Sequence, residues 1–454
     1  MANSHSDMFQ NILEGNKYDP EPGLSNEEIL RRAKAIKEGK DIDLRNTQVG
    51  YEGEEVKARQ NWLQKKKPHV YDKMMKYPEK LARGESIAII QFQYDYNCNF
   101  DCEHCSIDKF YVPRSWEEAS GRRKFELEDV RRLSKEADEY GLGNFVITGG
   151  EPLMLKEYDQ LVEAIDPDKF FIACDSNGWL LDDKRAKHIK SIGVDKMQLS
   201  LDGVDAESHD TFRRAPGSWE RVMRAIDACK NNDLHVILST VIWKDRIYTE
   251  EWQKFLEWAK ETEIGTYVVF AKPVGAFENV TDQMMTEKEN KILEQFEKEY
   301  DIFTHMSPSY GRDIGCIAVK RMVSMSRYGD LMPCPYQHVS LGNFFEEPLA
   351  DILNRSLNIK WFDPMKNMPC ICGVDKGFIQ DVISPTYGDS EVPVRYDKVF
   401  TSDDFINPSN LGTVKADSGK GKEVQTWKEA PLITLKGKKV KRFDPIEEAT
   451  KGGT

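Results

Sequence analysis

The sequence predicts an α/β fold built on a parallel sheet. Between residues 86 and 275, six short apolar stretches with strand character alternate with amphipathic helical stretches. The expected strands lie near 86–94, 144–148, 169–174, 197–201, 234–241 and 266–270, and the expected helices include 126–140, 219–231 and 249–262. Strands that are separated by helices pair in parallel through right-handed crossovers. Residues 86–275 are therefore expected to form the main domain of this 454-residue chain.

The regions on either side of this domain differ from it in composition. The expected segments are a polar and partly disordered stretch at 1–24, a helical preface at 25–85, a linker helix with a cysteine-bearing extension at 276–384, and an extended strap with a lysine-rich tail at 385–454. The preface opens with a capping box, Ser25-x-x-Glu28. The first segment is rich in Asn, Pro and Gly, a composition that gives little apolar surface to bury.

Net charge, hydropathy and cysteine content exclude several classes of protein. The formal net charge of −13 argues against general nucleic-acid binding. No apolar run approaches the ~20 residues that cross a bilayer, and no signal peptide is apparent. The nine cysteines are spaced as ligands of metal clusters and not as a disulfide framework. We therefore expect a cytoplasmic enzyme without a nucleic-acid or membrane partner.

Three cysteines form the most informative motif. Cys98, Cys102 and Cys105 follow an apolar strand in a C-x3-C-x2-C spacing. Soft thiolates suit iron, and a 4Fe–4S cube with three protein ligands keeps one iron open for another ligand. A structural zinc site would need a fourth protein ligand. His104 is the candidate, but a histidine beside its own cysteine is poorly placed to reach the same ion.

A second motif follows the next strand. Gly149, Gly150, Glu151 and Pro152 come directly after the apolar stretch 144–148. Two glycines let a backbone approach a ligand closely, and a carboxylate accepts hydrogen bonds from an ammonium group. The alternative is a Gly-Gly turn with a surface glutamate. The position one helix downstream of the three cysteines favours a ligand-binding role.

Polar side chains also follow the third and fourth strands. Ser176 and Asn177 come after residues 170–174, and Ser200 and Asp202 lie at the end of the fourth strand. A further segment with a repeated arginine, His-Asp-x-Phe-Arg-Arg, ends at Arg214. In parallel α/β barrels the chemistry gathers at the carboxyl ends of the strands. Every motif described so far occupies such a position.

Together these motifs resemble the radical S-adenosylmethionine (SAM) family. The resemblance implies a six-stranded partial (β/α)6 barrel in which Cys98, Cys102 and Cys105 bind a 4Fe–4S cluster and SAM chelates its fourth iron. It implies that Gly149, Gly150, Glu151 and Pro152 hold the amino group of SAM. The remaining SAM contacts are expected from Ser176, Asn177, Ser200, Asp202 and Arg214. A flavodoxin- or ferredoxin-type electron donor is the expected protein partner.

Four more cysteines lie beyond the main domain. Cys316 precedes a predicted β-hairpin, Cys334 follows it, and Cys370 and Cys372 come after a predicted helix at 348–357. Four cysteines in this order resemble the twitch half-module of the SPASM/twitch subfamily, which implies one auxiliary 4Fe–4S cluster. The final Cys-x-Cys pair departs from the more usual Cys-x-x-Cys. The alternative is a zinc ribbon formed by the same four residues.

The remaining candidates are individual side chains. Cys229 is expected to be part of the core, and so is Cys174, although an inward-facing Cys174 could donate a hydrogen atom to a substrate radical. A connecting loop that contains His305, Ser309, Tyr310 and Arg312 could border a substrate cavity, and so could Glu278; an ordinary loop is the favoured alternative.

The sequence therefore predicts an enzyme that cleaves SAM and abstracts hydrogen from a substrate carbon. A small polar metabolite such as a sugar or cyclitol is the favoured substrate, with oxidation, rearrangement or epimerisation as the outcome. The first alternative is modification of a ribosomally made peptide or protein. The second is a non-catalytic iron–sulfur or zinc protein, which would not need the SAM-pocket residues Glu151, Ser200 and Asp202.

Overall fold

The computed structural model describes residues 54–111, 121–300, 302–307, 315–364, 366, 369–389 and 392–407. The predicted Ser25–Glu28 capping box, the polar first segment and the lysine-rich tail lie outside these ranges. Among the described residues, no helix combines the length and apolar character that spanning a membrane requires.

A nine-stranded sheet forms the centre of the molecule. The strands are β1 Ile89–Asp95, β2 Asn144–Gly149, β3 Phe171–Ser176, β4 Lys196–Ser200, β5 His235–Ile242, β6 Thr266–Phe270, β7 Ile302–Phe303, β8 Met322–Met325 and β9 Leu331–Met332. Their order in the sheet is β7-β6-β5-β4-β3-β2-β1-β8-β9. Strands β1 to β6 are parallel neighbours in chain order, which confirms the predicted parallel α/β sheet. Two further short strands, β10 Val339–Ser340 and β11 Val394–Arg395, pair separately.

Helices connect the parallel strands and precede and follow them. They are α1 Glu54–Lys66, α2 Pro68–Met75, α3 Tyr77–Ala82, α4 Leu127–Tyr140, α5 Tyr158–Ile165, α6 Asp183–Ser191, α7 Ala206–Arg213, α8 Ser218–Asn231, α9 Glu250–Thr262, α10 Glu287–Glu299, α11 Leu349–Leu357, α12 Ile371–Val374 and α13 Lys376–Phe378. Helix α4 shows how local sequence sets the bounds. Glu126 and Asp129 form a capping box at its start, and Gly141 ends it in a left-handed conformation with φ of 84°.

The cysteine-bearing extension joins the sheet, which the sequence did not predict. Strand β8 pairs in parallel with β1, with Ile90 opposite Val323, and β9 pairs antiparallel to β8. The predicted hairpin is therefore present, but its first strand also covers the open edge of β1. Covering that edge satisfies backbone groups that would otherwise remain unpaired. The extension and the sheet share one hydrophobic core, which includes Phe92 of β1 and Phe378 of the extension.

The helices of the preface pack against the amino ends of the strands. Lys67 Nζ donates to Phe170 O at 2.9 Å and forms an ion pair with Asp195 at 2.5 Å. Lys73 Nζ donates to Lys169 O at 2.6 Å. These partners immediately precede β3 and β4. The described part of the preface therefore lies at the edge of the sheet opposite the motif-bearing strand ends.

Candidate active site

One cavity collects the motif residues at the carboxyl ends of the strands. Its floor is formed by polar side chains from each of strands β1 to β6, namely Gln91, Gln93, Thr148, Asp175, Gln198, Ser200, Ser239 and Tyr267. Cys98, Cys102 and Cys105 line the same cavity, together with Gly149, Gly150, Glu151, Ser176 and Asn177. Because one face of each of these six strands contributes to a single cavity, this part of the sheet curves around it. These residues therefore meet at the carboxyl ends of the strands, where the sequence predicted them.

The cysteine loop is fixed by the two glycines of the second motif. Gly150 N donates to Asp95 O at 2.9 Å, and Glu151 N donates to Asn97 O at 2.8 Å. A Cβ at Gly149 would lie 2.1 Å from Asp95 O, and one at Gly150 would lie 2.0 Å from Asn97 O. The glycines were expected to admit a ligand. Instead, the close approach they permit is primarily to the backbone of the cysteine loop itself.

Glu151 is a buried carboxylate with three protein donors. It accepts hydrogen bonds from Leu153 N at 3.0 Å, Ser176 Oγ at 2.8 Å and Asn177 N at 2.8 Å. Burial raises the pKa of Glu151, and these hydrogen bonds act in the opposite direction. A carboxylate offers about four acceptor positions, so room remains for one further donor from a ligand. Pro152 is buried behind it, at the start of the turn 152–154, and does not line the cavity.

Asn177 connects the end of β3 to the cysteine loop. Its Nδ2 donates to Asn99 Oδ1 at 2.8 Å, and its Oδ1 accepts from Trp179 N at 3.0 Å. The Trp179 ring in turn meets Phe100 edge-on at 5.7 Å. The third strand end and the cysteine motif, which are about seventy residues apart in sequence, therefore form one rigid wall.

The cationic side chain of the site is Arg213 and not Arg214, which corrects the expectation. Arg213 is buried, donates from Nε to Asp202 Oδ2 at 2.6 Å, and lies 3.8 Å from Cys102 Sγ through Nη1. Arg214 is exposed and ends α7 with φ of 51°. Successive helical residues point about 100° apart, so only one of the pair can face the cysteines. The sequence pattern contained both arginines but could not select between them.

Asp202 forms an ion pair with Arg213 and does not line the main cavity. Burial alone would raise the pKa of Asp202, but Arg213 and the neighbouring cationic groups hold it well below its usual range. Its Oδ1 accepts from Val241 N at 2.8 Å, and Arg246 donates to its carbonyl oxygen at 2.6 Å. The position of Asp202 does not support the expected direct contact with SAM. Its observed contacts instead orient Arg213.

His104 lies in the cysteine loop, but its ring packs against an aromatic neighbour and does not complete a four-residue metal site. Its ring stacks on Phe212 at 4.5 Å with an interplanar angle of 7°. Burial, followed by the charge of Arg213, lowers the pKa of His104 to about 3, so the ring is neutral near pH 7. The donor set of three thiols with one side open to the cavity fits a 4Fe–4S cube that accepts an external ligand.

Cys174 faces away from the cavity, so the hydrogen-donor hypothesis is not supported. Its thiol is fully buried beside the Tyr158 hydroxyl of α5, while the next residue, Asp175, lines the cavity. Adjacent residues of a strand point to opposite faces, so both cannot face inward. Cys229 is buried in α8, as expected.

The loop residues that were predicted to border a substrate cavity do not do so where the structure describes them. His305 is buried against the Phe270 ring, with centroids 4.9 Å apart, and is not part of the cavity wall. Glu278 forms an ion pair with Lys109. Ser309, Tyr310 and Arg312 lie outside the described residues. Neither His305 nor Glu278 therefore borders the cavity.

A second group of thiols lies beside the cavity. Cys316, Cys334, Cys370 and Cys372 are all buried. The thiol of Cys372 is hydrogen-bonded to those of Cys334 and Cys370, and Cys316 interacts electrostatically with Cys370. The Cys-x-Cys pair therefore supplies two side chains to the same group as the hairpin cysteines.

Two buried basic atoms without hydrogen-bond partners adjoin these thiols. They are Lys272 Nζ and His305 Nε2, as judged among the residues that the structure describes. Four soft donors with unsatisfied cationic and N–H groups beside them fit an anionic iron–sulfur cluster. In the described ranges, no three ligating side chains are arranged around a single metal ion. In a cube each thiolate binds a different iron, so the four thiols of such a site do not need to converge on one point.

Two protein-family models match this chain, and each matched region contains one of the two groups of cysteines. Residues 95–261 match the model of the radical SAM superfamily, and residues 316–373 match the SPASM model, described as an iron–sulfur cluster-binding domain. The chain is 22% identical over 329 residues to an AdoMet-dependent heme synthase of Nitratidesulfovibrio vulgaris, covering 65% of this chain and 87% of that protein.

The chain is also similar to a second enzyme over a shorter stretch and to a solved structure at lower sequence identity. A GTP 3',8-cyclase of Campylobacter jejuni is 28% identical over 224 residues, or 48% of this chain and 66% of that one. The structure of SuiB from Streptococcus suis bound to precursor peptide SuiA is 17% identical with a TM-score of 0.45, covering 62% and 69% of the two chains.

Proposed function

Because this chain belongs to the radical SAM superfamily and carries a SPASM-type iron–sulfur domain, we propose that it abstracts hydrogen from a small polar molecule held in the sheet cavity. The cofactors of such an enzyme are SAM, a 4Fe–4S cluster that binds SAM, and an auxiliary iron–sulfur cluster. When bound, SAM and its cluster supply a 5'-deoxyadenosyl radical, which removes a hydrogen atom from a substrate carbon.

Specific residues of the cavity would hold these groups. Cys98, Cys102 and Cys105 would ligate the SAM-binding cluster, with Arg213 fixing the Cys102 side of the loop. Glu151 has an acceptor position free for an ammonium group, and Gly149, Gly150, Ser176, Asn177 and Ser200 line the adjoining wall. Cys316, Cys334, Cys370 and Cys372 would hold one auxiliary cluster. A flavodoxin- or ferredoxin-type protein would deliver the reducing electron.

The observation that carries the substrate class is the unsatisfied polar floor of the cavity. Gln91 Nε2 donates to Asp175 Oδ2 at 3.3 Å, but Asp175 Oδ1 and Gln91 Oε1 are buried with no hydrogen-bond partner among the described residues. Leaving such atoms unpaired is costly, so a bound molecule with hydroxyl or amino donors would stabilise them. Sugars, cyclitols and amino-substituted relatives have donors of this kind.

Apolar and aromatic side chains form another part of the cavity wall. Pro335 and Tyr336 from the extension, Ile107 and Tyr111 from the cysteine loop, and Phe277 after β6 all line the cavity. An apolar wall keeps water away from a reactive radical, and a polar floor beside it suits a small molecule whose hydroxyl or amino groups reach Asp175 and Gln91.

An anaerobic assay of SAM cleavage tests this proposal. The protein is first reconstituted with iron and sulfide and then reduced. It is incubated with SAM and with either the dialysable metabolites or the peptide fraction of cells that produce this protein. We expect the metabolites to stimulate 5'-deoxyadenosine formation, and a Cys102→Ala variant to form none.

The outcomes separate the two parts of the proposal. Stimulation by the peptide fraction alone would contradict the substrate class and favour the peptide alternative. An iron-loaded protein that neither binds nor cleaves SAM under any condition would contradict the reaction itself. An Asp175→Asn variant should cleave SAM without added metabolite as the parent does, but lose the stimulation.

A further inference from the structure

Lys272 occupies the boundary between the cavity and the auxiliary thiols. It follows β6 directly, is only 5% exposed, and lines the cavity. Its Nζ lies 4.8 Å from the centroid of the Phe270 ring and 5.6 Å from that of Tyr336. Among the described residues no hydrogen-bond acceptor reaches this ammonium group. A buried ammonium without an acceptor or counter-charge is strongly unfavourable.

The thiols that would hold the auxiliary cluster lie next to this ammonium group. A Cβ at Gly373 would lie 2.7 Å from Lys272 Nζ and 3.0 Å from Cys370 Sγ. The ammonium and the thiol thus face each other across a glycine in the segment that carries Cys370 and Cys372. Lys272 also interacts electrostatically with both of those cysteines. Only glycine at position 373 leaves room for this approach.

His305 provides a second, independent feature of the same kind. It is 7% exposed, and its Nε2 lacks a partner within the described part of the chain. Its ring meets the ring of Phe270 edge-on, the same ring that Lys272 contacts, and it interacts electrostatically with Cys370. Two unsatisfied basic side chains from separate loops therefore converge on one ligand of the auxiliary cluster.

We propose that Lys272 and His305 are positioning residues that donate hydrogen bonds to the sulfur atoms of the auxiliary cluster, and that the charge of Lys272 raises its reduction potential. Hydrogen bonds to sulfur, net charge and solvent exposure are the terms that set such potentials. A nearby cation stabilises the more negatively charged, reduced cluster. This inference concerns the cluster itself and does not depend on the identity of the substrate.

A redox titration of the isolated auxiliary cluster tests the proposal. Replacing Cys98, Cys102 and Cys105 together by alanine removes the SAM-binding cluster from the full chain, so that electron paramagnetic resonance reports only on the auxiliary one. In this background Lys272→Met should shift the midpoint potential downward, and Lys272→Arg should shift it less. His305→Phe should shift it downward as well, because one donor is lost.

Lys73 supplies a matched control for replacing a buried lysine. It is also buried, but its Nζ is satisfied by Asp138 and Lys169 O near the amino ends of the strands. Lys73→Met should leave the midpoint unchanged. Equal midpoints in the parent and Lys272→Met would overturn the proposal, and would be expected if Lys272 instead served only the substrate. If Lys272→Met does not retain iron, Lys272→Gln is compared with Lys272→Arg, and equal midpoints for that pair would overturn it too.

Discussion

The guanidinium of Arg213 lies 3.8 Å from the sulfur of Cys102 while it is ion-paired with buried Asp202 at 2.5 Å. The arginine thus links the fourth strand end to the cysteine loop. Three of its neighbours, Asp202, Thr240 and Arg246, are themselves joined by hydrogen bonds below the cavity. The cluster-binding loop is therefore supported by a buried charged network as well as by its own backbone.

Removing Arg213 should destabilise the protein and displace the cysteine loop. Arg213→Met leaves the Asp202 carboxylate buried without its counter-charge, which is expected to cost about 3–5 kcal/mol of unfolding free energy. Arg214→Met, one residue away and exposed, should change it by less than about 0.5 kcal/mol. The difference is measured as the shift in urea midpoint between the two variants. Equal midpoints would contradict the assignment of Arg213.

Gly150 should be intolerant of even one added methyl group. Its Cβ would lie 2.0 Å from Asn97 O, so Gly150→Ala must move the backbone that carries Cys98. We expect iron retained after reconstitution to fall by about half, the content of one of two cubes. Gly377→Ala is the control, because its Cβ meets only the flexible Asp375 side chain at 3.3 Å. A fully iron-loaded Gly150→Ala protein would show that the loop can relax.

Asp175 should make the stability of the protein depend on pH. Burial raises its pKa to about 6 from the ordinary 3.8. The folded chain therefore binds more protons than the unfolded chain between about pH 4 and 6, and stability falls as pH rises through that interval. Above about pH 6 the loss amounts to about 3 kcal/mol.

Asp175→Asn removes this ionisation and tests its sign. The variant should have the higher Tm at pH 7 to 8, with a difference that shrinks towards about pH 5. Thermal unfolding across this range provides the measurement. Asp168→Asn, at an exposed carboxyl before β3, should show no such trend. A variant whose advantage grew towards acid pH would contradict the burial of this carboxyl.

Cys174 should be dispensable for the chemistry. Its thiol packs in the core beside Tyr158, so Cys174→Ala is expected to cost about 1–2 kcal/mol of stability and to leave product formation intact. Cys229→Ala, at another fully buried cysteine, should behave in the same way. Product analysis by mass spectrometry makes the comparison. Loss of product in the Cys174 variant alone, with SAM cleavage retained, would restore the hydrogen-donor role.

Local sequence was sufficient to predict the strands and helices of the parallel sheet. Strand β6 lies at the predicted residues 266–270, and helix α4 begins one residue after the expected 126. These elements are readable because period, capping residues and turn signals are short-range properties. The spacing of Cys98, Cys102 and Cys105 is likewise contained in one loop.

Side-chain direction was harder to predict and produced the errors. In β3, alternation allows either Cys174 or Asp175 to face inward, and the sequence does not state which face is covered by helices. The same ambiguity applied to Arg213 and Arg214 on α7. Asp175 was overlooked although it precedes Ser176, because an acidic residue at a strand end is common without any ligand.

The order of parallel strands, the two groups of cysteines and the family they indicate can be inferred from the sequence, because these features depend on residues close together in the chain. The side chains that face the cavity and the contacts between distant segments become visible in the folded chain. The addition of β8 to the edge of β1 and the approach of Lys272 to Cys370 join residues separated by about a hundred positions or more. Such contacts depend on how the sheet curves and how the extension packs on it, which no local pattern encodes.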